Sequence, residues 1–256
     1  MAVVWGYVVT KKLKVAVMAA AAAVSLSHAR AADVPHKAPP AETPAASIWS
    51  GCYVGVVGGG VWGSSQHISA SGATIGLPIT ARFDEAGGSA GGTIGCNYDL
   101  HGWVLGAEND LSWTTGHGSS PDQPPFNLAA VSHTDQNWFD SVRGRVGVAW
   151  EHSLMSYVTA GAAFAGTRVT ICDTSLDQCV SESNIRTGWI AGLGVEYGIW
   201  SNLYLKLEYL HADLGGAGRY FNTPTSLGRD NIVAREVSLK DDLVRAGLNW
   251  RFTTLP

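Results

Sequence analysis

Beyond Trp49 the chain alternates hydrophobic and polar residues with a period of two, and no window there joins a helical period to capping residues. That pattern predicts strands. The clearest runs from Leu203 to His211, with Leu203, Leu205, Leu207 and Tyr209 on one face and Tyr204, Lys206 and Glu208 on the other. The last strand sets Val244, Ala246, Leu248, Trp250 and Phe252 against Arg245, Asn249 and Arg251. Further strands are predicted over 51–63, 87–98, 103–113, 136–150, 154–171 and 185–199, which brings the total to eight. In the strand 154–171 the facing stays open, since either Tyr157 or Val158 could point outward.

The connections alternate in length. Residues 64–86, 114–135, 172–184 and 214–236 are long and polar, whereas 99–102, 151–153 and 200–202 are tight turns. All long loops therefore lie at one end and all turns at the other, as in an eight-stranded antiparallel up-and-down transmembrane β-barrel. A soluble ligand-binding barrel of eight strands shares the alternation, so tryptophan has to separate the two. Trp49, Trp103, Trp150, Trp200 and Trp250 fall at the short-turn end; Trp62, Trp113, Trp138 and Trp189 fall at the long-loop end. The two rings are ten to thirteen residues apart within a strand. At about 3.3 Å rise and about 45° tilt that is roughly 23–30 Å, close to the apolar band of a membrane barrel. Indole rings with one wet edge belong at such interfaces.

The start of the chain reads as an address. Lys11, Lys12 and Lys14 precede an apolar run from Val15 to Leu26, and Ala29-Arg30-Ala31 offers small residues for cleavage after Ala31. The run is too short for a membrane-spanning helix, so residues 1–31 are expected to be a signal peptide. The ten residues before Lys11 fit an upstream start-codon assignment. Residues 32–48, rich in Pro and Ala, are expected to form a periplasmic tether, and 49–256 the barrel.

Only 15% of the 256 residues are charged and 46% are hydrophobic, which excludes disorder. Seventeen Lys and Arg stand against twenty-one Asp and Glu, with no basic run, so nucleic acid is not an expected partner. Removing the leader takes away Lys11, Lys12, Lys14 and Arg30 and no acid. Thirteen basic and twenty-one acidic residues remain, a net charge of −8.

If the aliphatic faces meet lipid, the opposite faces place Glu108, Asp110, Arg143, Arg145, Glu196, Lys206, Glu208, Arg245 and Arg251 inside. Four acids against five bases in a narrow lumen predict an ion-pair network rather than an ion-selective path. Four cysteines in an exported chain imply an oxidising compartment. Cys172 and Cys179 share one long loop and are expected to pair. Cys52 and Cys96 would face each other in a hairpin centred near Thr74, although cross-strand geometry often misses the separation a disulfide needs. No Cys-x-x-Cys or neighbouring His favours a metal instead.

Several constellations imitate chemistry. Gly58, Gly60 and Gly63 match a dinucleotide fingerprint, but no helix follows to meet a pyrophosphate. Asp173 and Asp177 supply too few ligands for calcium. His67, His117 and His133 are expected in long loops as solvated side chains, and Ser112 with His117 or His133 lacks an orienting carboxylate for catalysis. No cofactor is expected.

The segments Trp49-Ser50-Gly51-Cys52-Tyr53-Val54-Gly55, Gly106-Ala107-Glu108-Asn109-Asp110-Leu111-Ser112-Trp113, Ser141-Val142-Arg143-Gly144-Arg145-Val146-Gly147, Tyr157-Val158-Thr159-Ala160-Gly161, Gly188-Trp189 and Leu207-Glu208-Tyr209 resemble, in order, the small opacity-type, porin-like outer-membrane proteins of alphaproteobacteria. The resemblance spans 49–252. It implies an eight-stranded outer-membrane barrel with a role in envelope integrity and surface exposure, and no catalytic residues. Two departures stand out. Cys52 and Cys96 replace expected aromatics, a second reason to expect their pairing, and Thr253-Thr254-Leu255-Pro256 follows the final aromatic, Phe252, that assembly machinery reads.

The expectation is a non-enzymatic structural barrel. Its partners would be outer-membrane lipids and lipopolysaccharide and the barrel-assembly machinery, with peptidoglycan or host surfaces as further contacts. A low-conductance pore for small solutes is the alternative, and a lipid-modifying enzyme a third.

Overall fold

A computed structural model of the protein describes residues 48–150, 153–215, 218–221 and 233–253. The expected signal peptide, and all of the tether but Ile48, lie outside these residues. Eight long strands form the wall: β1 (Gly51–Ser69), β2 (Phe83–Leu100), β3 (Trp103–Pro121), β4 (Ala130–Trp150), β5 (Leu154–Asp173), β6 (Gln178–Trp200), β7 (Leu203–Asp213) and β9 (Arg235–Thr253). A two-residue strand, β8 (Arg219–Tyr220), pairs with β9 beyond the point where β7 stops. Each strand pairs antiparallel with the next, and β1 pairs with β9 to close a ring of eight. Closure leaves no unpaired edge at the level of the bilayer.

Local sequence accounts for the tight end. At the β2–β3 turn His101 and Gly102 both adopt positive φ (56° and 100°), as a two-residue primed turn requires, and Asp99 Oδ1 accepts the Gly102 N–H at 2.7 Å.

At the other end the expected loops contract. The strands run through most of the connections expected over 64–86, 114–135 and 172–184 and leave 70–82, 122–129 and 174–177. Only 214–234 keeps about its expected length, with β8 inside it. The reason is chemical. Above Trp62, Trp113 and Trp138 the outward positions are Ser64, Gln66, Asp84, Thr115, His117, Ser119, His133 and Asp135, so the wall leaves the lipid and its exterior turns polar. The apolar alternation that marks a lipid-facing strand therefore ends before the strand does. Nineteen-residue strands such as β1 and β3 stand roughly 44 Å tall at about 3.3 Å rise and about 45° tilt, against an apolar band of about 25 Å.

The core lies inside the ring. Trp49, Val104, Met155, Tyr157 and Tyr204 fill the short-turn mouth. Phe139, Ile190, Leu210, Leu239 and Leu243 belong to a second apolar layer, and Val169, Ile171, Tyr220, Phe221 and Val237 to a third. Between the first and second layers sit the charges.

Candidate functional site

Alternation aims the ionic side chains at the axis: Glu108 and Asp110 from β3, Arg143 and Arg145 from β4, Glu196 from β6, Lys206 and Glu208 from β7, Arg245 from β9. All eight are buried. Arg143 is the hub. It meets Glu108 at 2.6 Å and Glu208 at 3.2 Å, and also pairs with Asp110. Arg245 bonds Asp110 at 3.1 Å and pairs with Glu208. Arg145 reaches Glu196 at 2.7 Å and Glu108 at 3.4 Å, while Lys206 donates to Glu108 at 3.0 Å. Four acids and four bases leave the cluster electrically neutral, which a desolvated site requires.

Hydroxyls and an amide add three further contacts, while Asp110 Oδ1 and Glu196 Oε2 accept no hydrogen bond among the described residues. Tyr53 Oη donates to Glu108 Oε2 at 2.6 Å, Tyr157 Oη to Glu208 Oε2 at 3.1 Å, and Asn249 Nδ2 to Glu196 Oε1 at 3.2 Å. Arg145 lies between two tyrosine faces, 4.9 Å from the Tyr53 ring and 5.0 Å from the Tyr157 ring. Gly95 makes room for this. A Cβ there would stand 2.3 Å from Tyr53 Oη, so any larger residue displaces the phenol from Glu108. Carboxylates of Glu108, Asp110 and Glu208 converge within 4.8 Å, a grouping that could hold a cation. Arg143, Lys206 and Arg245 already lie among them.

Arg251, expected in the same network, stands apart. It is buried, but its guanidinium stacks 4.1 Å from the Tyr204 ring and 5.6 Å from the Trp49 ring, with no carboxylate within ion-pair distance among the described residues. The same contacts correct the placement of Trp49. It was expected in the short-turn aromatic ring, yet only 2% of it is exposed, because the chain just before β1 turns into the mouth and seats the indole on Tyr204 at 5.3 Å. Trp62, Trp103, Trp113, Trp150, Trp189, Trp200 and Trp250 are exposed on the outer wall. Trp138 is outward but half-buried. In the strand of open facing, Val158 points out and Tyr157 in.

A second polar set occupies the lumen above the apolar layer. His67 is there and not in a solvated loop: Nε2 lies 2.9 Å from Thr134 Oγ1, and Nδ1 lies 3.3 Å from Arg235 Nη1. Arg235 also donates to Ser132 at 2.6 Å and to Asp122 at 3.4 Å. Burial, reinforced by the cations of Arg235 and Arg186, pushes the His67 imidazole well below its ordinary range. Burial likewise raises Asp122 against the opposing pull of Arg235. Arg186 is held by carbonyls: Leu214 O at 2.6 Å, Gly218 O at 3.0 Å and Val237 O. The continued alternation of β1 and β9 could have revealed His67 and Arg235, had their strands been extended beyond the lipid-facing part.

Both cysteine pairs are bonded. Cys52 and Cys96 sit opposite each other on β1 and β2, Cα atoms 4.0 Å apart, and Cys172 and Cys179 close the β5–β6 hairpin at 4.1 Å. The latter therefore staples a tight hairpin and not a long loop. Ser112 is buried inside the barrel whereas His117 and His133 point outward, so the wall separates them. Gly58, Gly60 and Gly63 are all in β1. Asp173 caps the β5–β6 turn, where Oδ1 accepts the Ser175 N–H at 2.9 Å.

A closed, even ring of antiparallel strands, girdled by tryptophan and ionic within, is a transmembrane barrel. The chain belongs to the family of the outer membrane protein beta-barrel domain, which it matches over residues 17–252. It is 31% identical over 254 residues to the 31 kDa outer-membrane immunogenic protein of Brucella melitensis, covering 94% of this chain and all of that one. It is 29% identical over 171 residues to the 22 kDa outer membrane protein of Rhizobium leguminosarum bv. viciae, covering 66% and 65%. Among solved structures it resembles the outer membrane protease OmpT from Escherichia coli in fold, with a TM-score of 0.50 at 9% identity, over 79% of this chain and 97% of that one. The protein is therefore an integral outer-membrane barrel of the envelope surface, as the resemblance of its segments implied.

Proposed function

We propose that the barrel is a closed structural element that holds its loops above the outer membrane, without a conducting path and without catalysis. The observation that carries this reading is the neutral eight-membered ion-pair cluster, capped by apolar side chains towards both ends of the lumen. A solute passing through would have to break several desolvated ion pairs at once, each costly to separate. Planar-bilayer recordings on the purified protein should stay silent, and reproducible single-channel steps would replace this reading with the pore. Separation of Ser112 from His117 and His133 by the wall supports a non-enzymatic role. On this reading the leader is cleaved after Ala31, so the mature protein begins at Ala32, which N-terminal sequencing checks. Lipids and lipopolysaccharide surround the wall, the assembly machinery receives the final strand, and the loops 70–82, 122–129, 174–177 and 214–234 meet the exterior.

A further inference from the structure

The outer wall carries one feature that packing of the barrel does not use. Between β4 and β5 the ladder slips at Asn137, where one extra residue separates Gln136 from Trp138. The slip lays the Trp138 indole flat over Gly166; a Cβ at Gly166 would sit 2.0 Å from Trp138 Nε1. Trp113, directly across the β3–β4 ladder, is by contrast 70% exposed. Beside the indole lies a cleft of about 290 Å³ whose lining includes Asn137, Trp138, Gly166, Thr167, Ser183 and Ile185. The cleft is amphipathic along the membrane normal. Trp138 and Ile185 supply apolar walls at the height of the outer aromatic ring, and the Asn137 amide and the Ser183 hydroxyl are polar partners beside them, whereas the Asn184 amide is engaged by Arg219 O and the Ile185 N–H. On the solvent side Arg168, exposed on β5, donates through Nε to Ser183 Oγ at 3.3 Å and makes no ion pair among the described residues. Asp135 is its cross-strand neighbour on β4, beyond ion-pair distance.

We propose that this cleft seats one lipopolysaccharide molecule of the outer leaflet, with an acyl chain against Trp138 and Ile185, sugar hydroxyls on Asn137 and Ser183, and a sugar phosphate on Arg168. Position selects the occupant. The cleft faces lipid at the long-loop end, where the surrounding molecules combine acyl chains, sugars and phosphates, and a guanidinium with both Nη groups available suits a phosphate bidentately. The proposal rests on the placement of the barrel in the outer membrane.

The test is native mass spectrometry of the full-length protein in detergent, incubated with rough lipopolysaccharide or with phosphatidylglycerol. Wild type should retain one lipopolysaccharide and far less phospholipid. Arg168→Glu should lower retention about tenfold, as expected for loss of a charge-assisted contact, and Arg168→Lys should restore part of it. Equal retention by wild type and Arg168→Glu, or equal retention of phosphatidylglycerol, overturns the site. Should Arg168→Glu fail to give a compact, heat-modifiable band, Arg168→Gln takes its place with the same criteria. Membrane fractionation separates the two claims: a barrel found in the outer membrane with unaltered retention sinks the cleft alone, and a protein absent from that membrane sinks both.

Discussion

The half of the barrel between the tryptophan rings and the half above them are built on opposite plans from the same continuous strands. Below, the exterior is apolar and the interior ionic, with eight charges cancelling one another. Above, the exterior is polar and the interior mixes Leu239, Val237 and Tyr220 with a smaller set around His67 and Arg235. The difference teaches that the solvent outside sets what each strand face can be. In lipid, the outer face must be greasy and polarity is confined to the lumen; in water, the outer face is free and the lumen can be packed as an ordinary core.

The largest effect should come from breaking the lower plan. Glu208→Ala leaves Arg143 and Arg245 short of a carboxylate and should cost about 3–5 kcal/mol, seen as loss of the compact band that resists detergent without heating. Asp122→Asn, in the upper half, keeps an acceptor for Ser132 and takes the carboxylate from Arg235, which retains Ser132, and should cost about 1–3 kcal/mol in the same assay. Next, Trp49→Ala should lose about 3 kcal/mol because it empties a packed mouth, whereas Trp113→Ala, on the lipid side, should lose distinctly less. Smaller again, replacing Cys172 and Cys179 by Ser should cost about 2 kcal/mol by loosening the hairpin. Limited proteolysis should then cut near 174–177 while the embedded half survives.

The smallest effect concerns pH. The His67 imidazole is held below its usual range in the folded protein, so protonation favours the opened extension. Its contribution to stability is present above about pH 6.5 and is lost as pH falls through the lowered folded value. Hydrogen exchange at residues 65–69 and 130–135 should therefore quicken at pH 5 relative to pH 7.5, after correction for intrinsic rates. Uniform behaviour in both halves would dissolve the distinction.

The lower half was legible in the sequence. Leu205, Leu207 and Leu248 against Lys206, Glu208 and Arg245 made both faces plain, since lipid forces a strict contrast between neighbours. The upper half was not. Ser64, Gln66, Ser181 and Ser183 resemble loop residues when they are in fact the wet face of a strand, so strand ends were placed six or more residues short at β1, β3 and β4 and seven short at β6. Trp49 was misplaced because its position beside a strand end suits an interface and a plug equally. Whether it turned in or out depended on Tyr204 and Arg251, more than 150 residues away. Arg251 shares the parity of Arg245, yet parity gives a side of the wall and not a partner.

Because hydrogen-bonded strands persist for about 20 Å past the apolar band, the connecting peptides are carried on a stiff pedestal and not tethered at the lipid surface. A bulky molecule kept off the membrane by a layer of that depth would still touch the tips.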